Sequence, residues 1–162
     1  MSEAEHARGA ATLEQLLLQR AAWRAAGHSV VLTNGCFDVL HAGHIALLEA
    51  AQREGGRLVV AINSDVSVAR LKGAGRPHLP QAERAEALRA LESVDAVVIY
   101  DQETPIEVVR ALRPDVLVKG ADWAADAIVG RAEVEQMGGR VVRVPLVPGR
   151  STSALVAGIR RP

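Results

Sequence analysis

Five short apolar runs, separated by segments of helical pattern, limit most strongly what this chain can fold into. They are Val30 to Thr33, Arg57 to Asn63, Ala96 to Tyr100, Val116 to Lys119 and Arg140 to Val144. Runs this short and this rich in Val, Ile and Leu read as strands buried on both faces. Helical signals fill the intervals. Thr12 and Gln15 have the spacing of a capping box, opening a helix to about Ala26. Gly43 to Arg53 carries Leu47, Leu48 and Ala51 on one face, and Ser64 to Ala69 is a shorter helix. Pro80 starts Gln81 to Leu91. Pro114 stops Pro105 to Leu112, and Gly138-Gly139 ends Ile128 to Met137. Ser153 to Arg160 closes the chain as a last helix. Strands alternating with helices imply an α/β fold, a doubly wound parallel five-stranded sheet with helices on both faces. The expected strand order is 3-2-1-4-5. Ligands of such sheets bind beyond the strand carboxyl ends, where the order reverses. The segments following strands one and four, Thr33-Asn34-Gly35 and Lys119-Gly120-Ala121-Asp122, then flank that crevice.

The densest chemistry lies there. Thr33-Asn34-Gly35-Cys36-Phe37-Asp38 leads into His41-Ala42-Gly43-His44. Asn34-Gly35 supplies a turn with close backbone approach. His41 and His44, three residues apart at a helix opening, share one face. A helix N-terminus favours an anion, so the pair reads as imidazoles donating hydrogen bonds to a phosphate. A metal site would need further ligands, and no Cys cluster or third nearby histidine provides them. Asp38 is placed to orient a histidine, to bind Mg2+ through water, or to cap the helix. Cys36 reads as a packed small residue without an activating partner, and Phe37 as core.

A second anion site follows strand five. Arg150 precedes three hydroxyls, Ser151, Thr152 and Ser153, at a helix start. One suffices for an N-cap, and the set suits a polyphosphate tail. Among nineteen basic residues only Lys72 and Lys119 are lysines, and each precedes a glycine. A lysine is a mobile point charge, so both are candidate phosphate ligands. The Gly/Pro-rich segment from Lys72 to Pro80, with Arg76, reads as a lid or a solvated connector. Trp123 is a candidate for stacking on a base or for filling the core.

Composition narrows the partners. A length of 162 residues suits one domain, taken as residues 11–162 behind a polar, loosely attached or disordered segment 1–10. Formal charge is zero, which disfavours nucleic acid or an acidic membrane surface. Cys36 is the only cysteine, so no internal disulfide forms and a reducing compartment is expected. No apolar signal core opens the chain, and no run reaches the ~18 apolar residues of a membrane span. A cytoplasmic protein acting on small molecules is the expectation.

His41-Ala42-Gly43-His44 matches the HxGH signature of the nucleotidyltransferase superfamily, and Arg150-Ser151-Thr152-Ser153 resembles its second signature. Thr33 to Asp38, Leu71-Lys72-Gly73, Val118-Lys119-Gly120 and Gly149 to Thr152 together are similar to heptose 1-phosphate adenylyltransferases of lipopolysaccharide core synthesis. The similarity runs from about Val30 to Arg160. It departs at Val156, where the second signature ends in a basic residue. Gly120-Ala121-Asp122-Trp123 also resembles glycerol-3-phosphate cytidylyltransferases, leaving ATP or CTP open.

The resemblance implies a Rossmann-like sheet and transfer of AMP from ATP to a sugar 1-phosphate, with Mg2+ bound mainly through the nucleotide phosphates. It implies that His41, His44, Lys72 and Arg150 are catalytic. It implies a nucleotide site of Thr33, Asn34, Gly35, Cys36, Phe37, Asp38 and Gly43, with Lys119, Gly120, Asp122, Trp123, Ser151, Thr152 and Ser153. Asp38, Asn63, Asp65, Lys72 and Arg76 are then expected at the sugar phosphate. A homo-oligomer, dimer or higher, is expected too. Members of this family are often fused to a sugar kinase; the stand-alone form is expected here.

Overall fold

The computed structural model describes residues 9–160. In chain order it contains α1 (Leu13–Ala25), β1 (Val30–Gly35), α2 (Ala42–Arg53), β2 (Arg57–Asn63), α3 (Asp65–Lys72) and α4 (Gln81–Arg89). Then come β3 (Ala96–Tyr100), α5 (Ile106–Leu112), β4 (Val116–Gly120), a 3-10 turn (Ala125–Ala127), α6 (Arg131–Gln136), β5 (Arg140–Val144) and α7 (Thr152–Ile159). The sheet has the order β3-β2-β1-β4-β5, as expected, and every pairing is parallel.

Alternation of side chains across each strand builds two cores. Val31, Leu58, Val60, Ile62, Val97 and Val118 face α2 and α4, meeting Leu48, Ala51, Ala85 and Leu88. Val30, Leu32, Val59, Val98 and Leu117 face α1, α5 and α6, meeting Leu16, Val109, Leu112 and Val134. Both faces are apolar, so the strands show no polar-apolar alternation in sequence.

The chain leaves β1 for α2 on one face and β3 for β4 through α5 on the other. The reversal therefore lies between β1 and β4, where the sheet opens beyond its carboxyl ends.

Element bounds shift for local reasons. β1 continues through Asn34 and Gly35 because both stay in register with Ala61 and Ile62 of β2. α3 runs to Lys72, ending at Gly73 with φ of 92°. Lys72 thus ends a helix instead of opening a loop. α6 begins only at Arg131, since Gly130 takes φ of 92° and Ile128 is extended. Of the segment expected to be loose, residues 1–8 lie outside the described residues. Ala10 is buried, and the Ala11 N–H donates to the Val97 carbonyl at 2.7 Å.

Candidate active site

The site is built on the turn that leaves β1. Phe37 adopts φ of 46°, and its buried ring folds back over Gly35. A Cβ on Gly35 would stand 3.1 Å from that ring, so any larger residue there would press on the Phe37 ring. The turn delivers His41 as the N-cap of α2. His41 Nδ1 accepts from the Gly43 N–H at 3.1 Å and the His44 N–H at 3.4 Å. With Nδ1 accepting, the ring proton sits on Nε2. The His44 ring stacks on it, centroids 3.8 Å apart and planes at 22°, with Phe37 5.1 Å from His44 on another side. Gly43 makes this packing possible: a Cβ there would lie 2.9 Å from His41 Cε1 and 3.1 Å from Arg150 Cβ.

Both imidazoles are neutral at pH 7. Burial, with His41 beside it, pushes His44 down to about 4, against a weaker opposing pull from the Val39 carbonyl. Its Nδ1 is buried and makes no hydrogen bond of good geometry, so the neutral ring is free to carry its single proton on Nε2 and donate it into the cleft. Burial and then the Arg150 charge lower His41. The first turn of α2 holds no acidic residue, so its N-terminal field is not offset. The pair thus offers N–H donors and a helix end, while full positive charge comes from elsewhere.

Arg150 and the hydroxyl run pack beside the histidines on the same side of the cleft. Ser151 is the N-cap of α7, accepting from the Ala154 N–H at 3.0 Å. Thr152 Oγ1 donates to the Val39 carbonyl at 3.0 Å, tying this segment to the loop before α2. On β4, Lys119 Nζ donates to the Asn34 carbonyl at 3.0 Å and lies 5.2 Å from the Trp123 ring. Lys119 therefore closes the gap between β1 and β4, and burial lowers its pKa against the pull of Asp122. Trp123 is 47% exposed, so it does not fill the core.

Asp38 has a different task from those expected. Its buried carboxylate accepts from the His78 and Leu79 N–H groups at 2.8 and 3.0 Å and from Arg76 Nε at 2.8 Å. Burial would raise its pKa, but these donors outweigh it and hold the carboxyl below its usual range. With both oxygens spent, Asp38 neither orients a histidine nor offers itself to Mg2+; it pins the 73–80 loop. Arg84 lies behind that loop, fully buried. It donates to the carbonyls of Leu79, Cys36 and Asn63 and to Asp65 Oδ1, at 3.0, 2.6, 2.9 and 2.8 Å. Asp65 is consequently the partner of Arg84 and does not line the cleft, which corrects its expected place at the sugar phosphate. Cys36 keeps its proton, because burial pushes its thiol up despite Lys72, Arg84 and Arg76 nearby.

All these walls enclose one cleft of about 740 Å³ beyond the sheet's carboxyl end. Every other expected site residue lines it: Thr33 through Asp38, His41, Gly43, His44, Asn63, Lys72, Arg76, Lys119, Gly120, Asp122, Trp123, and Arg150 through Ser153. Sequence reasoning missed Tyr100, Glu103 and Thr104 on the β3 side and Leu146 on the β5 side. Tyr100 had a signal, as the only tyrosine at a strand's carboxyl end. Arg84 had none, because an Ala/Glu/Arg-rich helix reads as solvated. A smaller hollow of about 490 Å³ lies between α1 and α5, where Arg20 is committed to the Leu112 and Arg113 carbonyls and Asp115.

Comparisons with known proteins give the family. A family model described as cytidylyltransferase-like matches residues 32–152. The bifunctional protein HldE of Methylobacillus flagellatus is 51% identical over 144 residues, which cover 89% of this chain and 30% of that protein. Its namesake in Gluconobacter oxydans is 55% identical, covering 85% of this chain and 29% of that protein. The chain thus spans about a third of the length of these relatives. Among solved structures, a lipopolysaccharide core biosynthesis protein from Thermoplasma volcanium GSS1 superposes with a TM-score of 0.61 at 27% identity. That match covers 75% of this chain and 98% of the other.

Proposed function

Because the chain belongs to the cytidylyltransferase-like family, we propose that it transfers AMP from ATP to D-glycero-β-D-manno-heptose 1-phosphate. The products are ADP-heptose and pyrophosphate, for lipopolysaccharide inner-core synthesis. The observation that carries this reading is the stacked His41–His44 pair at the α2 N-terminus, beside Arg150 and the hydroxyl run in one cleft. The similarity to the HldE proteins and to the Thermoplasma protein supports the pathway.

A phosphate oxygen of the acceptor attacks the α-phosphorus and forms a P–O bond. The bond from that phosphorus to the α,β-bridging oxygen breaks, and pyrophosphate leaves with the electron pair. A sugar phosphate is already an anionic nucleophile near neutral pH, because its second pKa is about 6. No general base is required, and catalysis reduces to positioning and charge stabilisation. His41 Nε2–H and His44 Nε2 address the α- and β-phosphates. Arg150 and Lys72 neutralise the growing charge, and Ser151 to Ser153 hold the β,γ end. Lys119, Gly120, Asp122 and Trp123 form the wall for ribose and base. Arg76, with Nε fixed by Asp38, turns its remaining N–H groups to the acceptor phosphate.

Mg2+ enters with the nucleotide in this reading, held by phosphate oxygens and water. The donor set fits that mode: no group of three or more His, Cys, Asp or Glu side chains suited to a metal occurs among the described residues, and Asp38 is fully engaged. The ion would offset phosphate charge as pyrophosphate departs. No helix among the described residues is long and apolar enough to cross a membrane; a cytoplasmic location is proposed with ATP as substrate. α7 buries none of its residues, and Ile159 is 81% exposed. That surface supports the expected homo-oligomer, and a monomeric mass in light scattering would refute it.

Cytidylyl transfer to a phospho-alcohol such as glycerol 3-phosphate is the second reading, favoured by the Gly120 to Trp123 run and the family's description. A nucleotide-binding module without catalysis is the third. Pyrophosphate release across ATP, CTP and GTP, with heptose 1-phosphate and glycerol 3-phosphate as acceptors, separates them. ATP with heptose 1-phosphate is the expected pair. CTP with glycerol 3-phosphate would overturn it, and no release from any pair would favour the module.

A further inference from the structure

Four polar side chains form a hydrogen-bonded chain across the carboxyl ends of β1, β2 and β3. Ser67 Oγ lies 2.8 Å from the Gln102 carbonyl, and Asn63 Nδ2 lies 2.9 Å from Ser67 Oγ. The Tyr100 hydroxyl is 3.0 Å from Asn63 Oδ1, and Asn34 Nδ2 is 3.4 Å from the Tyr100 oxygen. The chain can run in only one direction. A carbonyl only accepts, so Ser67 spends its proton on Gln102. The Ser67 oxygen then requires a donor, which fixes the Asn63 amide nitrogen toward it and Asn63 Oδ1 toward Tyr100. The Cys36 thiol, 3.7 Å away, donates to that same oxygen and agrees with the assignment.

Tyr100 must therefore donate to Asn63, and burial pushes its pKa up to about 12, so the phenol keeps the proton. Its oxygen is left to accept from Asn34 Nδ2. The Gln102 carbonyl thus dictates, four side chains away, that Asn34 turns its oxygen outward. The Lys119 ammonium fixes the Asn34 main chain through its carbonyl. Asn34 Oδ1 itself has no donor among the described residues and is not shut away from water in the cleft. Glu103 and Thr104 line the same side, exposed, with no side-chain hydrogen bond to a described residue.

This side of the cleft is the opposite of the histidine side in its chemistry. His41, His44 and Arg150 offer N–H donors and positive charge, which suit phosphate oxygens. An amide oxygen and a carboxylate repel phosphate and accept from O–H groups. We propose that Asn34 Oδ1, aimed by the directed chain through Tyr100, Asn63 and Ser67, is the specificity-determining acceptor for a hydroxyl on the polyol body of the acceptor substrate. Tyr100 is its positioning residue, and Glu103 is a second acceptor on the rim. The inference rests on the sugar-phosphate transferase reading, names where that sugar's hydroxyls bind, and moves the Asn34 side chain from the nucleotide site that the resemblance implies to the acceptor side.

Steady-state kinetics of Tyr100→Phe and Asn34→Leu test it. Losing one oriented hydrogen bond raises the KM for heptose 1-phosphate about tenfold, while the KM for ATP and kcat stay near wild type. A loss of packing alone would move both KM values together. An unchanged sugar KM, or an equal rise for ATP, overturns the proposal. Thermal melting guards against Tyr100→Phe failing to fold, and Asn34→Leu removes the acceptor oxygen itself while leaving the Tyr100–Asn63–Ser67 bonds in place. If the wild-type protein releases no pyrophosphate, the transferase reading fails separately. Calorimetric titration with heptose 1-phosphate then decides the inference: tighter binding by wild type than by Asn34→Leu supports it, and equal binding or none overturns it.

Discussion

Replacing His44 with asparagine slows turnover by roughly 10²–10³, the scale of losing one transition-state donor, while ATP still binds with near-normal affinity. The ring stacks on His41 and opens only Nε2 to the cleft. A shorter amide cannot place an N–H at the same point. The remaining holds on the nucleotide, through Arg150, the hydroxyl run and the α2 N-terminus, stay in place. Rapid-quench turnover with a parallel ATP titration measures both quantities, and near-normal turnover would remove His44 from the mechanism.

The pH dependence separates this role from proton shuttling. His44 is neutral above about 4, so it gives no limb in the physiological range. The acid limb of kcat/KM then belongs to the acceptor phosphate, near its second pKa of about 6, and persists in His44→Asn. A limb that vanishes in this variant would mean that the imidazole titrates in catalysis. The stability effect has the opposite origin. The His44 value of about 4 in the fold lies below its ordinary 6.5, so between them the unfolded chain binds a proton that the native state refuses. Its contribution to stability is fully present above about 6.5 and is lost as pH falls through that window.

Replacing Arg84 with methionine is expected to cost about 3–5 kcal/mol, because several carbonyl acceptors lose a charged donor at about 1–3 kcal/mol each. The guanidinium is fully buried and satisfies the carbonyls of Cys36, Asn63 and Leu79. Methionine fills much of the volume but donates nothing, leaving three carbonyls short of a partner in a part of the fold with little water. Those carbonyls belong to the turn before α2, the end of β2 and the loop before α4. The variant should therefore unfold at much lower denaturant and show a loosened 73–80 loop in hydrogen exchange before it unfolds. A midpoint shift below 1 kcal/mol in urea titration would show that the network is dispensable. Asp65→Asn is the companion measurement: Asp65 is half-buried, and its carbonyl oxygen still accepts from Arg84, so it should cost far less.

The two residues also mark how far sequence could be read. His44 was legible because its signal is local: a histidine pair at helical spacing, a glycine between them, and a strand just before. The hydroxyl run was legible only as a group: one of the three was expected to cap a helix starting at Ser153, and with α7 starting at Thr152 the cap is Ser151. Arg84 and Asp38 were not legible in their actual roles. Nothing in Gln81–Arg89 distinguishes the buried arginine from its solvated neighbours, since burial there is imposed by a loop and a strand end far away in sequence. Asp38 sits inside the motif, yet its partners lie 38 to 41 residues further on. Asp65 was misplaced for the same reason, because its side chain answers to Arg84 across a helix and not to the cleft.

The sequence by itself determined a parallel sheet, since runs apolar on both faces are buried between two layers of helices; its strand order matches the expected one, which no apolar run encodes. It also directed the chemistry to where β1 and β4 part, because His41 and His44 follow the first of those strands and Lys119 lies at the end of the second. Only the tertiary structure decided which polar groups reach the ligand and which hold the scaffold. Periodicity reports which face of an element is buried, but a hydrogen bond depends on where two distant segments meet. The direction of the chain from Gln102 to Asn34 shows this most sharply: one carbonyl that can only accept sets the orientation of an amide on another strand, and no local pattern encodes that meeting.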